Sequence, residues 1–81
     1  MNHFDYRGRT LCAERVPLPR IAKAVGTPTY VYSSAALEGQ FRVVAEAFSN
    51  QDCLVAYSVK ANSNLAVLES FSNLGSGFDI V

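Results

Sequence analysis

From Thr29 onward the apolar residues of this chain switch back and forth between strand-like and helix-like spacing, and that order leaves few folds open. Thr29-Tyr30-Val31-Tyr32 is β-branched and aromatic, the composition of a strand. Leu37, Phe41, Val44, Ala45 and Phe48 then recur at i, i+4, i+7, i+8 and i+11, one stripe of an amphipathic helix that Ser33 or Ser34 is placed to cap. A polar break, Ser49-Asn50-Gln51-Asp52, precedes a β-rich run that predicts a strand over residues 53–59. Leu65, Leu68, Phe71 and Leu74 predict a helix over residues 65–75, with Asn62 or Ser63 as its cap and Gly75 as its stop. Residues 77–81 open another strand. The order β, α, β, α, β within about fifty residues is the signature of parallel α/β architecture.

The upstream part is more weakly patterned. A short hairpin is expected to pair Phe4–Tyr6 with Thr10–Ala13 around Arg7-Gly8-Arg9. Pro17 and Pro19 open a short helix with Ile21, Ala22 and Val25 on one face, which Gly26 ends before Pro28.

Composition narrows the function classes. Formal net charge is zero, and no basic patch or charge run argues for nucleic acid or an anionic membrane. No apolar stretch approaches the ~20 residues that a membrane helix needs. The amino terminus, Met1 to Arg7, carries no apolar h-region. Cys12 and Cys53 form neither a CxxC nor a zinc spacing and read as reduced thiols, so the expected compartment is the cytoplasm. No metal site is expected. Gly75-Ser76-Gly77 follows a helix and lacks the third glycine of a dinucleotide fingerprint, and no glycine run precedes Lys60 to make a Walker loop. The chain stops inside a predicted strand, which suggests a piece of a longer protein.

Chemistry in parallel α/β folds gathers at the carboxyl ends of the strands, and Lys60 stands at that end of the strand 53–59. An amine held on a rigid strand tip near apolar walls can lose its proton and attack a carbonyl. Alternation puts Leu54, Ala56, Ser58 and Lys60 on one face and Cys53, Val55, Tyr57 and Val59 on the other. The first set shrinks toward its end and leaves room for a ligand. In the next strand Gly77, Asp79 and Val81 share a face, with Phe78 and Ile80 on the helix side. If the two strands are neighbours, Lys60 and Asp79 face one cavity, subject to their register. The plainer alternatives are a solvated loop lysine and an aspartate that serves as an ion-pair partner or a cap. Tyr30, Tyr32 and Tyr57 read as packing residues with hydroxyls at the edge. His3, near the terminus, is no candidate base.

Tyr57-Ser58-Val59-Lys60-Ala61-Asn62-Ser63-Asn64-Leu65-Ala66-Val67-Leu68 resembles the pyridoxal-phosphate attachment region of the alanine-racemase-fold decarboxylases, the group of diaminopimelate, ornithine and arginine decarboxylases. Leu74 to Val81 resembles the segment that follows. Val25 to Tyr32 and the helix after it resemble the diaminopimelate branch most. Ser58, where the family more commonly has Ala or Pro, and Phe71, where a smaller aliphatic is usual, depart from the pattern.

The resemblance implies a pyridoxal 5'-phosphate enzyme in which Lys60 forms the Schiff base and Asp79 is the family acid beside it, both binding the cofactor. It implies the start of a (β/α)8 TIM-type barrel over 34–81, incomplete here, and an N-terminal segment, 1–33, that belongs to a second, β-rich domain. A full barrel takes about 250 residues. The phosphate cup, the substrate-binding residues and a cysteine lent by the partner subunit of a homodimer lie downstream in the family. The 81 residues alone are therefore expected to be neither stably folded nor active. The implied reaction is decarboxylation of meso-diaminopimelate to L-lysine. The alternatives are another amino-acid decarboxylase or racemase of the fold, a pyridoxal-phosphate carrier barrel, or an inactive truncated product. Carriers are single-domain and lack the strand 29–32 with its preceding Pro-rich helix.

Overall fold

A computed structural model describes residues 2–80 of the chain. Two compact units divide it, Met1–Ala36 and Leu37–Val81.

The first unit is an antiparallel meander of β1 (Phe4–Arg7), β2 (Thr10–Ala13) and β3 (Val16–Pro17), followed by α1 (Leu18–Val25). Arg7 pairs with Thr10, so Gly8-Arg9 is a two-residue turn. Such turns need a positive φ to match the twist of the strands, and Gly8 supplies it at +65°. The next turn makes the same demand of a residue with a side chain. Ala13 pairs with Val16, and Glu14 takes φ +56° between them. Its N–H bonds to the His3 carbonyl at 2.6 Å, one step beyond the Phe4–Ala13 pair of the first hairpin. Pro17 stands at the N-cap of α1, and Gly26, at φ +86°, ends the helix with its N–H on the Ala22 carbonyl at 2.8 Å. Cys12 and Ala13 form the small buried core beneath α1.

The expected strand at residues 29–32 is absent: the run is irregular and unpaired among the described residues. Strand propensity measures fit to a pleated neighbour, and no neighbouring strand is supplied here. Tyr30 and Tyr32 instead stack on each other, 6.5 Å between ring centres, and both are exposed.

α2 (Ser34–Ala47) begins in the first unit and continues into the second. Ser33 is its cap, accepting the Ala36 N–H at 3.1 Å. Of the expected stripe, Leu37, Phe41 and Ala45 are half-buried while Val44 and Phe48 are exposed.

The second unit holds a βαβ motif: β4 (Ala56–Ser58), α3 (Leu65–Asn73) and β5 (Gly77–Asp79), with β4 and β5 parallel neighbours. β4 is shorter than the predicted 53–59. Residues 53–55 make no ladder, although the Val55 carbonyl still accepts the Gly77 N–H at 2.9 Å. Val81, called as the end of the last strand, lies outside the described residues. Phe71, only 8% exposed, is the packing centre, with Tyr57 stacked on it at 4.4 Å and Phe41 tilted against it at 6.1 Å. Phe78 meets Tyr57 edge-on at 6.5 Å. Val67 is buried beside them in the sequence of α3. Gly75, at φ +87°, ends α3. Its N–H reaches the Ser72 carbonyl at 3.0 Å and that of Ser76 reaches Phe71 at 3.1 Å, the paired bonds of a Schellman ending.

Candidate active site

The carboxyl end of β4 does not run straight into a loop. Val59–Ala61 form one turn of 3-10 helix, and Lys60 is its middle residue. The expectation that Lys60 continues the strand is therefore corrected: the alternation of faces stops at Ser58, and Lys60 stands exposed on the turn beyond it. The reason is local. The Asn62 N–H bonds back to the Val59 carbonyl at 3.2 Å, which curls the backbone that a strand would keep extended.

Three bonds hold the end of this turn. Besides the Asn62 N–H, the Asn62 carbonyl accepts the Tyr57 hydroxyl at 2.9 Å. The Asn62 side chain accepts the Asn64 N–H at 3.0 Å. Asn64 then caps α3, its Oδ1 accepting the N–H groups of Ala66 at 2.9 Å and Val67 at 3.4 Å. Neither Asn62 nor Ser63, the expected caps, does so. Three polar residues in a row can each cap a helix, and the 3-10 turn decides which one meets its first N–H groups. The importance of the Tyr57 hydroxyl and the Asn62 backbone was not visible in the sequence, because both depend on that turn.

β4 and β5 are in register as Ala56 with Gly77, Tyr57 with Phe78 and Ser58 with Asp79. Tyr57 and Phe78 touch on the α3 side, as the alternation predicts. The other face carries the small residues Ala56, Ser58 and Gly77, with the Leu54 side chain lying beside Gly77. A Cβ on Gly77 would lie 3.1 Å from Leu54 Cδ2 and 3.7 Å from the Ala56 Cβ, so glycine keeps this face shallow. Asp79 is thus level with Ser58, two residues before Lys60. Ser58 is half-buried and Asp79 exposed.

The first unit carries a separate polar cluster. The Glu14 carboxylate accepts the Ser33 hydroxyl at 2.8 Å and the Ala35 N–H at 3.3 Å. The Ser33 hydroxyl, and then the Ala35 N–H, hold the Glu14 carboxyl below its ordinary pKa, with a smaller contribution from His3 and slight opposition from burial. Ser33 is buried, at 4% exposure. The two cysteines are free thiols, Cys12 buried and Cys53 exposed. Among the described residues no cluster of His, Cys, Asp and Glu is grouped to hold a metal, and no helix is long and apolar enough to cross a membrane.

A parallel βαβ with a lysine on the turn after its first strand and an aspartate closing its second is the start of a recognisable domain. The chain belongs to the pyridoxal-dependent decarboxylase family, whose pyridoxal-binding domain matches residues 34–81. It is similar over all 81 residues to the diaminopimelate decarboxylase of Pseudomonas aeruginosa, at 54% identity, covering 100% of this chain and 20% of that protein. The diaminopimelate decarboxylase of Haemophilus influenzae is 46% identical over the same 100% of the chain and 20% of its own length. The crystal structure of AQ1208 from Aquifex aeolicus superposes with a TM-score of 0.91 at 40% identity, covering 98% of this chain and 19% of that one. The chain thus spans about a fifth of the length of the relatives it matches.

Proposed function

We propose that this chain is the amino-terminal part of a pyridoxal-phosphate-dependent carboxy-lyase that converts meso-diaminopimelate to L-lysine and carbon dioxide, with Lys60 as the amine that anchors the cofactor. One observation carries the reading: the segment matching the pyridoxal-binding domain, 34–81, contains both Lys60 and Asp79. The substrate is supported by the identity to diaminopimelate decarboxylases, which extends upstream of that segment to the whole chain.

The residues present fit such a cofactor. Toward the carboxyl end, the face of the sheet away from α3 carries only the small residues Ala56, Ser58 and Gly77, and a Cβ at Gly77 would press on the Leu54 side chain beside it. When bound, the pyridine ring supplies an electron sink for the bond to the departing carboxylate. Lys60 contributes an amine on a short, hydrogen-bonded turn, which fixes the backbone from which its side chain departs. Asp79 contributes a carboxylate at the same end of the sheet, suited to orienting that nitrogen or to holding charge beside it.

On this reading residues 34–81 begin a (β/α)8 barrel, and residues 1–33 join a β-rich second domain in which the 29–32 run finds its strand partner. The parent acts in the cytoplasm as a homodimer. The exposure of Tyr30 and Tyr32 supports a strand partner for the 29–32 run, as does the fivefold greater length of the relatives. The test is made on the full gene product. Borohydride treatment after loading with pyridoxal phosphate should leave a stable label on Lys60. Lys60→Arg should remove the label and cut release of carbon dioxide from meso-diaminopimelate by about a thousandfold or more, the scale on which losing a covalent catalyst acts. Full turnover in that variant would end the proposal.

A further inference from the structure

Lys60 lies inside a ring closed by a single hydroxyl. The Tyr57 Oη–H reaches across the turn to the Asn62 carbonyl at 2.9 Å, and the segment between them is the 3-10 turn with Lys60 at its middle. Tyr57 is itself fixed from the other side. Its ring stacks on Phe71 at 4.4 Å with 28° between the planes, and Phe78 closes on it edge-on. Phe71 is buried within α3, whose first N–H groups are capped by Asn64. The chain of contacts runs from the packed helix through an aromatic ring and one hydroxyl to the peptide two residues past the lysine.

We propose that Tyr57 is a positioning residue for Lys60, holding its turn in place through the Asn62 carbonyl while the ring is anchored on Phe71. The proposal rests on the cofactor role of Lys60 given above. A phenylalanine at 57 would keep the stack and lose only the donor. The Asn62 carbonyl, half-buried, would then be left to solvent or to nothing. A neutral hydrogen bond of this kind contributes about 1 kcal/mol net, roughly a fivefold change in an opening equilibrium. The turn would open more often, and the amine would spend less time at the sheet end.

The experiment compares the full gene product with its Tyr57→Phe variant in two readouts. The first needs no cofactor: amide hydrogen exchange, residue by residue. The Asn62 N–H, bonded to Val59, should exchange about fivefold faster in the variant, while the amides of Phe71 and its neighbours in α3 stay within about twofold. The second is the rate of borohydride-trapped pyridoxal-phosphate labelling of Lys60, expected to fall in the variant by at most about fivefold, the ceiling set by the change in the opening equilibrium. An unchanged Asn62 amide, or a uniform rise across β4, the turn and α3, overturns the proposal, since the hydroxyl then does nothing or merely stabilises the whole. Faster exchange at Asn62 with undiminished labelling also overturns it, because the turn would be held without mattering to the amine. No label on Lys60 even with Tyr57 intact would overturn the cofactor role itself and, with it, the positioning claim.

Discussion

The two halves of the chain hold a helix against a small sheet with opposite materials. In Met1–Ala36 the junction is polar: a glutamate held at positive φ on a hairpin turn accepts from a buried serine and from the backbone at the start of α2. In Leu37–Val81 it is aromatic: Phe71, Tyr57 and Phe78 pack across the βαβ with Phe41 of α2 against Phe71, and one tyrosine hydroxyl finishes the arrangement. The aromatic cluster carries no charge among its rings. The polar junction depends on a carboxylate staying ionised. The difference teaches that stability near the Lys60 turn and stability around the meander should answer to different perturbations.

The largest effect expected on either side is at the aromatic centre. Phe71→Ala should cost about 3 kcal/mol in urea unfolding of the full gene product, since it removes a buried ring and two ring–ring contacts at once. A loss under about 1 kcal/mol would mean that the cluster is not what holds the βαβ. Ser33→Ala should cost about 1 kcal/mol, the usual loss of a serine cap, and should leave amide exchange in α3 unchanged. A change that spread to α3 would erase the distinction between the halves. The smallest effect is at Glu14. Its native pKa is depressed by Ser33 and Ala35, so its contribution is present above the ordinary glutamate value and fades as pH falls through the lower native one. Glu14→Gln should therefore be less stable than the parent near neutrality, and the gap should close in acid and narrow with added salt. A gap that persisted at low pH would show that the carboxylate charge is not what the junction uses.

Much of this was legible in the chain itself. The hairpin at Gly8, the proline-opened α1, the stop at Gly26 and the Schellman ending at Gly75 all follow from residues whose backbone preferences are local. So does the separation of Tyr57 and Phe78 from Ala56 and Gly77, because alternation is built into any strand. Three features differ from what local pattern predicts, and each depends on a partner elsewhere. Residues 29–32 have strand composition but no strand beside them. The cap of α3 fell to Asn64 because the preceding turn set where the helix begins. The strand before Lys60 ends at Ser58, one residue early, because the Asn62 N–H turns back to Val59.

Residue types and their spacing alone therefore determined a βαβ with a lysine and an aspartate at one end of two strands, since periodicity and glycine placement act over a few neighbours. Where the lysine sits was decided only in three dimensions. A hydroxyl, a carbonyl and two stacked rings from separate elements hold the turn that carries it, and contacts between separate elements leave no periodic trace in the sequence.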